Sequence, residues 1–143
     1  MEIATGYFAR AKTYAEMGYA LVSIAKVAPW FIAKDLTLYN CDALKPTDEI
    51  LELKDEPEKY ELLYRKEVLG KTSGIKIFHL LYSIARQEFS SKVVLMCYES
   101  PEKFCHRHIV AKWIEETIGN KVAEVDIGGF KSPTRDLFAS DVV

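Results

Sequence analysis

Cys97, Glu99, Cys105, His106, Arg107 and His108 place two thiols, a carboxylate, two imidazoles and a guanidinium within twelve residues. Those groups can supply a nucleophile, a proton acceptor and an anion clamp. The run Val93-Val94-Leu95-Met96-Cys97 before them is apolar and β-branched, and Cys105 opens an amphipathic stretch after the loop 98–103. Where a strand hands over to a helix, free helix amides face outward, and α/β proteins commonly bind ligands there. The residue pattern therefore predicts a site before it predicts a reaction.

Helical phase sorts the cluster. The apolar stripe of the following helix is Val110, Trp113, Ile114 and Thr117. His106 lies one turn before Val110 on that face and Arg107 flanks it, whereas His108 aligns with Lys112 and Glu116 on the polar face. A cation in a first helical turn opposes the helix dipole, so Arg107 calls for an anion. Either a phosphate or carboxylate ligand supplies it, or a salt bridge to Glu99 or Glu102 does. Glu99 stands two residues beyond the strand, placed to orient His106, act as a general base or bond a ligand hydroxyl. Cys105 is the candidate nucleophile, because a helix N-terminus and nearby cations depress a thiol's pKa. Cys97, ending a buried strand, reads as a small packed hydrophobe. No metal is expected: the sequence has one loose ligand pair, adjacent residues such as Cys105 and His106 rarely chelate one ion, and Cys41 is distant.

The elements that must position these groups follow from the patterning. Strands are expected at Ile3–Phe8, Tyr19–Ala25 and Lys92–Tyr98, with a half-exposed one where Ala123, Val125 and Ile127 alternate with Glu124 and Asp126. Helices are expected near Thr13–Met17, briefly after Thr47, from Pro57 to Gly70, from Gly74 to Gln87 with a stripe of Ile77, Leu80, Leu81, Ile84 and Ala85, and from Cys105 to Ile118, stopped by Gly119. Residues 36–46 read as irregular and 128–143 as a loop-like tail hinged at Gly128-Gly129. This alternation predicts an α/β fold, one layered domain over 1–143 with a mainly parallel central sheet flanked by helices. Neither Gly-x-Gly-x-x-Gly nor a Gly-Lys-Ser/Thr phosphate loop occurs, so the residues name no cofactor.

Composition narrows the class. Hydrophobic residues make up 49% of 143, enough for a globular core. The formal net charge of −2 argues against a general nucleic-acid coat. No apolar run approaches the roughly 20 residues of a membrane span, and the start lacks a leader pattern. Three cysteines do not make a disulfide framework, and the expected setting is a reducing cytoplasm.

The segment Val93–Glu99 followed by Cys105-His106-Arg107 resembles the domain-of-unknown-function-488 family, which has an apolar strand, a Cys or small residue, Glu after one spacer, and a Cys-His-Arg triplet opening a helix. Tyr7-Phe8-Ala9-Arg10 is similar to an N-terminal segment of its short subgroup; Ser23-Ile24-Ala25 and Pro29 match its second strand and exit loop, and Leu44 and Pro46 match a later turn. The subgroup commonly has Arg where this chain has Lys26, which keeps the charge but not the fork. The resemblance implies an α/β fold with a polar pocket at the strand ends, and no particular reaction.

Three functional readings stand. The first is a pocket for a small anionic, phosphorylated or nucleotide-like ligand. Arg10, Lys26, Glu99, His106 and Arg107 would converge on it, with Tyr7, Tyr98 and Trp30 as stacking surfaces. The second is thiol chemistry, although a Cys-x5-Arg phosphatase pattern counted from Cys97 meets Lys103 instead of Arg. The third is a non-catalytic module that binds protein or nucleic acid, using the segment Phe130–Arg135.

Overall fold

Runs of small and β-branched apolar residues form the centre of a parallel sheet, because only a strand covered on both faces can be apolar at every position. The computed structural model describes residues 1–99 and 103–128. Its strands are β1 (Glu2–Tyr7), β2 (Ala20–Ser23), β3 (Leu38–Asn40), β4 (Lys92–Cys97) and β5 (Val122–Glu124), ordered β3-β2-β4-β1-β5 with every pairing parallel. The described helices are α1 (Ala11–Glu16), α2 (Ile32–Asp35), α3 (Asp48–Leu51), α4 (Pro57–Glu67), α5 (Gly74–Gln87) and α6 (His106–Ile118). The fold is the expected layered α/β domain.

β4 lies in the middle of the sheet and buries every residue from Val93 to Cys97. Alternation along the strands divides the core. Ile3, Val22 and Leu95 face Tyr64 of α4, Leu81 of α5 and Val110 of α6. Ala4, Leu21, Val94 and Met96 face the other way, toward Phe8, Tyr14 of α1 and Ile32 of α2. After β1 the chain therefore turns to one face, and after the neighbouring β4 it turns to the opposite one. Their C-terminal ends part, and that divergence is the topological switch at which open α/β sheets form a crevice.

Local signals fix the helices that matter. Ser73 caps α5 by accepting a bond from the Lys76 amide at 3.3 Å. Thr47 caps α3 in the same way from Ile50. Pro57 opens α4, and Gly119 closes α6 at φ 71°, a backbone angle that favours glycine.

Three expectations are corrected. Residues 36–46 are not wholly irregular: they contain β3, a three-residue edge strand too short for alternation to register. The four-residue α2 was not expected at all. Leu80 is 41% exposed, because the buried stripe of α5 centres on Ile77, Leu81, Ile84 and Ala85, with Leu80 at its edge. Gly129, the tail 130–143 with its Phe130–Arg135 segment, and Glu102 lie outside the described residues.

Candidate functional site

The site forms where β4 ends and α6 begins. Cys97 is the last residue of β4 and Cys105 is the N-cap of α6, in an extended conformation with no side-chain cap bond. Their Cα atoms are 7.3 Å apart and their sulfurs are joined as a disulfide. The sequence reading expected no disulfide framework and did not foresee this one pair; Cys41 alone is free, and it is fully buried. The odd count hid a pair whose members are brought together by the strand-to-helix turn.

His106 points inward, as its phase required. It is 5% exposed, its Nε2 lies 2.6 Å from the Ile24 carbonyl, and its Nδ1 lies 3.8 Å from Cys105 Sγ. A carbonyl can only accept, so Nε2 carries the proton and Nδ1 presents a lone pair to the sulfur. Burial pushes its pKa down to about 4, against the opposing pull of the Ile24 bond and with help from Arg107 and His108, so the ring is neutral near pH 7.

Arg107 is wholly buried and its fork is filled. Nε and Nη2 each donate to a Glu124 carboxylate oxygen at 3.0 Å, while Nη1 donates to the Glu99 carbonyl at 2.6 Å and to Cys97 Sγ at 3.0 Å. The anion demanded by a first-turn cation is thus a side chain of β5. Glu124 in turn accepts from Thr5 Oγ1 at 2.7 Å, its register partner on β1. Burial pushes the Glu124 carboxyl up, but the hydrogen bonds from Arg107 and Thr5 outweigh it and hold its pKa below the ordinary value.

Glu124 was missed by the sequence reading, although its place on an alternating strand beside Ala123 was visible. His108 also differs from its expected place on a polar face. It is half-buried, its Nε2 is buried without a hydrogen-bond partner, and burial and then Arg107 lower its pKa.

On the β2 side of this cluster a cavity of about 150 Å³ opens, with Lys26, Tyr60, Tyr98, Glu99, Cys105 and His106 among its walls. Cys97 and Lys54 also reach it. The structure therefore gathers Lys26, Tyr98, Glu99, Cys105 and His106, while Arg107, Tyr7 and Arg10 stand apart on the β1 side. Tyr7 lies under the Arg107 guanidinium, 5.9 Å from ring centre to Cζ, and its hydroxyl accepts from Arg10 Nε at 3.4 Å. Lys26 pairs with Asp48 of α3. Tyr98 is 54% exposed and donates its hydroxyl to the Val27 carbonyl at 2.7 Å.

Tyr60 of α4 reaches the cavity 3% exposed, with no hydrogen bond to its hydroxyl among the described residues. A larger opening of about 360 Å³ at the other end of β2, beside Gly18 and Phe89, is lined by no cysteine, histidine, lysine or arginine.

Cys97, Cys105 and His106 form the one group of three close metal-capable donors among the described residues, with ligand atoms within 4.8 Å of one another. The sulfurs as bonded to each other offer no thiolate. No helix among the described residues is long and apolar enough to cross a membrane.

Residues 42–118 match the family model DUF488-N3a, described as the active DUF488-N3 subclade. No curated protein and no solved structure matched the chain.

Proposed function

Because the chain belongs to the DUF488 family, matching the subclade described as active, we propose that the strand-end cavity binds a small anionic, nucleotide-like ligand and that Glu99, His106 and Cys105 act on it. One observation carries the reading: the hydroxyl of Tyr60, a side chain otherwise buried, has no hydrogen-bond partner among the described residues, and Tyr60 lines a cavity together with Lys26 and Lys54. A ligand oxygen entering the cavity would give that hydroxyl the hydrogen bond it lacks. Lys54 is exposed and has no ion-pair partner among the described residues, and Lys26 is held only by the exposed Asp48. About 150 Å³ is room for roughly five waters, the size of a phosphate or a sugar ring. The rest of a nucleotide would lie over the exposed face of Tyr98.

The division of labour follows from the environments. Glu99 is exposed, its carboxylate free of hydrogen bonds among the described residues, and serves as the base. His106, neutral and fixed by the Ile24 carbonyl, presents its Nδ1 lone pair to the Cys105 sulfur and accepts from it once that sulfur is a thiol. Arg107 positions the loop through the Glu99 carbonyl and does not touch the ligand. A cytoplasmic setting is part of the proposal.

Thermal unfolding with inorganic phosphate, ribose 5-phosphate and a set of nucleoside monophosphates tests it. A ligand at 100 times its Kd adds about 2.7 kcal/mol, a shift of several degrees. Lys54→Ala should weaken that ligand roughly tenfold, the loss of one charge-assisted bond. No shift with any of them at millimolar concentration would overturn the reading.

A further inference from the structure

The cavity wall contains a second chemical device, which does not depend on the anion reading. Cys97 and Cys105 both line the cavity and are bonded to each other. Their surroundings differ. Cys97 Sγ accepts from the Arg107 guanidinium at 3.0 Å, whereas Cys105 Sγ faces His106 Nδ1 at 3.8 Å. A cation beside a sulfur stabilises its thiolate, and the sulfur with the more stable thiolate leaves faster. Cys41 is fully buried elsewhere, its thiol pushed up to about 11 chiefly by burial, and takes no part.

We infer that Cys97 and Cys105 are a reversible thiol–disulfide couple that exchanges with a low-molecular-weight thiol entering the cavity. The thiolate of the incoming molecule attacks Cys105 Sγ. The bond between the two protein sulfurs breaks as the bond to the incoming sulfur forms, and the electron pair leaves on Cys97, where Arg107 already faces it. A second small thiolate attacks the incoming sulfur of the mixed disulfide. It departs as a small symmetrical disulfide and releases Cys105 as thiolate. Cys105 takes a proton from water and donates its S–H to His106 Nδ1. One protein disulfide and two small thiols become the Cys105 thiol, the Cys97 thiolate beside Arg107 and one small disulfide; two electrons and one proton pass to the protein, and the second proton goes to water. The reverse sequence reoxidises the protein.

Two features of the fold suit this chemistry. Cys97 ends the central strand and Cys105 begins the helix after it, so the attacked and leaving sulfurs sit on elements anchored in the core. The Arg107 fork is itself locked by Glu124, so the cation stays beside the leaving sulfur throughout.

The full chain, equilibrated in mixtures of reduced and oxidised glutathione and quenched with an alkylating reagent in denaturant, supplies the test by mass. The expected result is one alkylated cysteine in oxidising mixtures and three in reducing ones, with the same midpoint approached from either side. Cys97→Ser should trap a stoichiometric glutathione adduct on Cys105. Three alkylated cysteines in every mixture would overturn the couple whether or not the serine variant folds. So would one bound equivalent of zinc that shields both thiols from alkylation. A folded Cys97→Ser protein without an adduct on Cys105 would overturn the assigned direction of attack. None of these outcomes moves with nucleotide binding, so this inference and the anion reading fail separately.

Discussion

Arg107 illustrates how much a single residue can announce and how much it withholds. A cation in the first turn of a helix, flanking the buried face, must meet an anion, and that much is legible from spacing alone. Which anion is not legible. Glu124 is seventeen residues further on, and it reaches Arg107 only because β5 pairs with β1 in the register that sets Glu124 opposite Thr5. A long-range register of this kind leaves no trace in local periodicity. The same holds for Tyr60, which shares its helix spacing with Leu63 and Tyr64 and gives no local sign of the cavity it lines. The buried fork carries a sharp consequence. Glu124→Ala strands a guanidinium with no exposed surface, so unfolding by urea should show a loss of about 3–5 kcal/mol. Arg107→Met added to that variant should recover part of the loss, since removing both charges removes the stranded one. A loss under about 1 kcal/mol for Glu124→Ala would mean that water reaches the guanidinium.

Elements were legible in proportion to their length and to the completeness of their signals. α5 has Ser73 as a cap, a 3.6-residue apolar stripe and fourteen residues, and its boundaries match the expected ones. α6 has the Gly119 stop and β4 an unbroken apolar run. β3 and α2 have three and four residues and no cap bond or period, so they exist only through what they pack against. β2 supplies that support to β3 through Leu21–Leu38, Val22–Tyr39 and Ser23–Asn40.

One close meeting of two elements lies near the site. Gly6 of β1 sits under the Tyr14 ring of α1, where an added Cβ would come within 2.5 Å of Cε2, and the Tyr14 hydroxyl accepts from the Tyr7 amide at 3.2 Å. Gly6→Ala must push the ring off that amide, because the flat ring has no flexible end to give way. The expected cost is about 1–3 kcal/mol in denaturant unfolding, with the sheet kept and the near-ultraviolet tyrosine signal changed. An unchanged midpoint would show that α1 moves freely against β1.

At the scale of the whole molecule, a buried histidine and a part-buried carboxylate on neighbouring elements tie stability to pH in the same direction. His106 has a folded pKa of about 4, below the ordinary 6.5, because burial disfavours its charged form. The unfolded chain therefore binds the proton first. Stability contributed by the neutral ring is complete above about pH 6.5, declines as the pH falls toward 4, and changes no further once both states are protonated. Glu124, lowered by its bonds from Arg107 and Thr5, contributes stability that is complete above the ordinary carboxylate range and is lost as the pH falls through its depressed folded pKa. The histidine loss thus comes first on acidification and the carboxylate loss follows it.

Both groups stand at the switch point, where β1 and β4 send their helices to opposite faces. Of the two, His106 also lines the cavity. Urea midpoints measured from pH 8 to pH 3 should fall in two stages, the first amounting to on the order of a few kcal/mol. His106→Gln, which can still donate to the Ile24 carbonyl, should remove most of the stage between pH 6.5 and 4, leaving the smaller share of His108, whose pKa is also lowered, and keep the lower stage in place. A first stage that survives the substitution in full would assign it to another group and would remove His106 from its buried, neutral role beside Cys105.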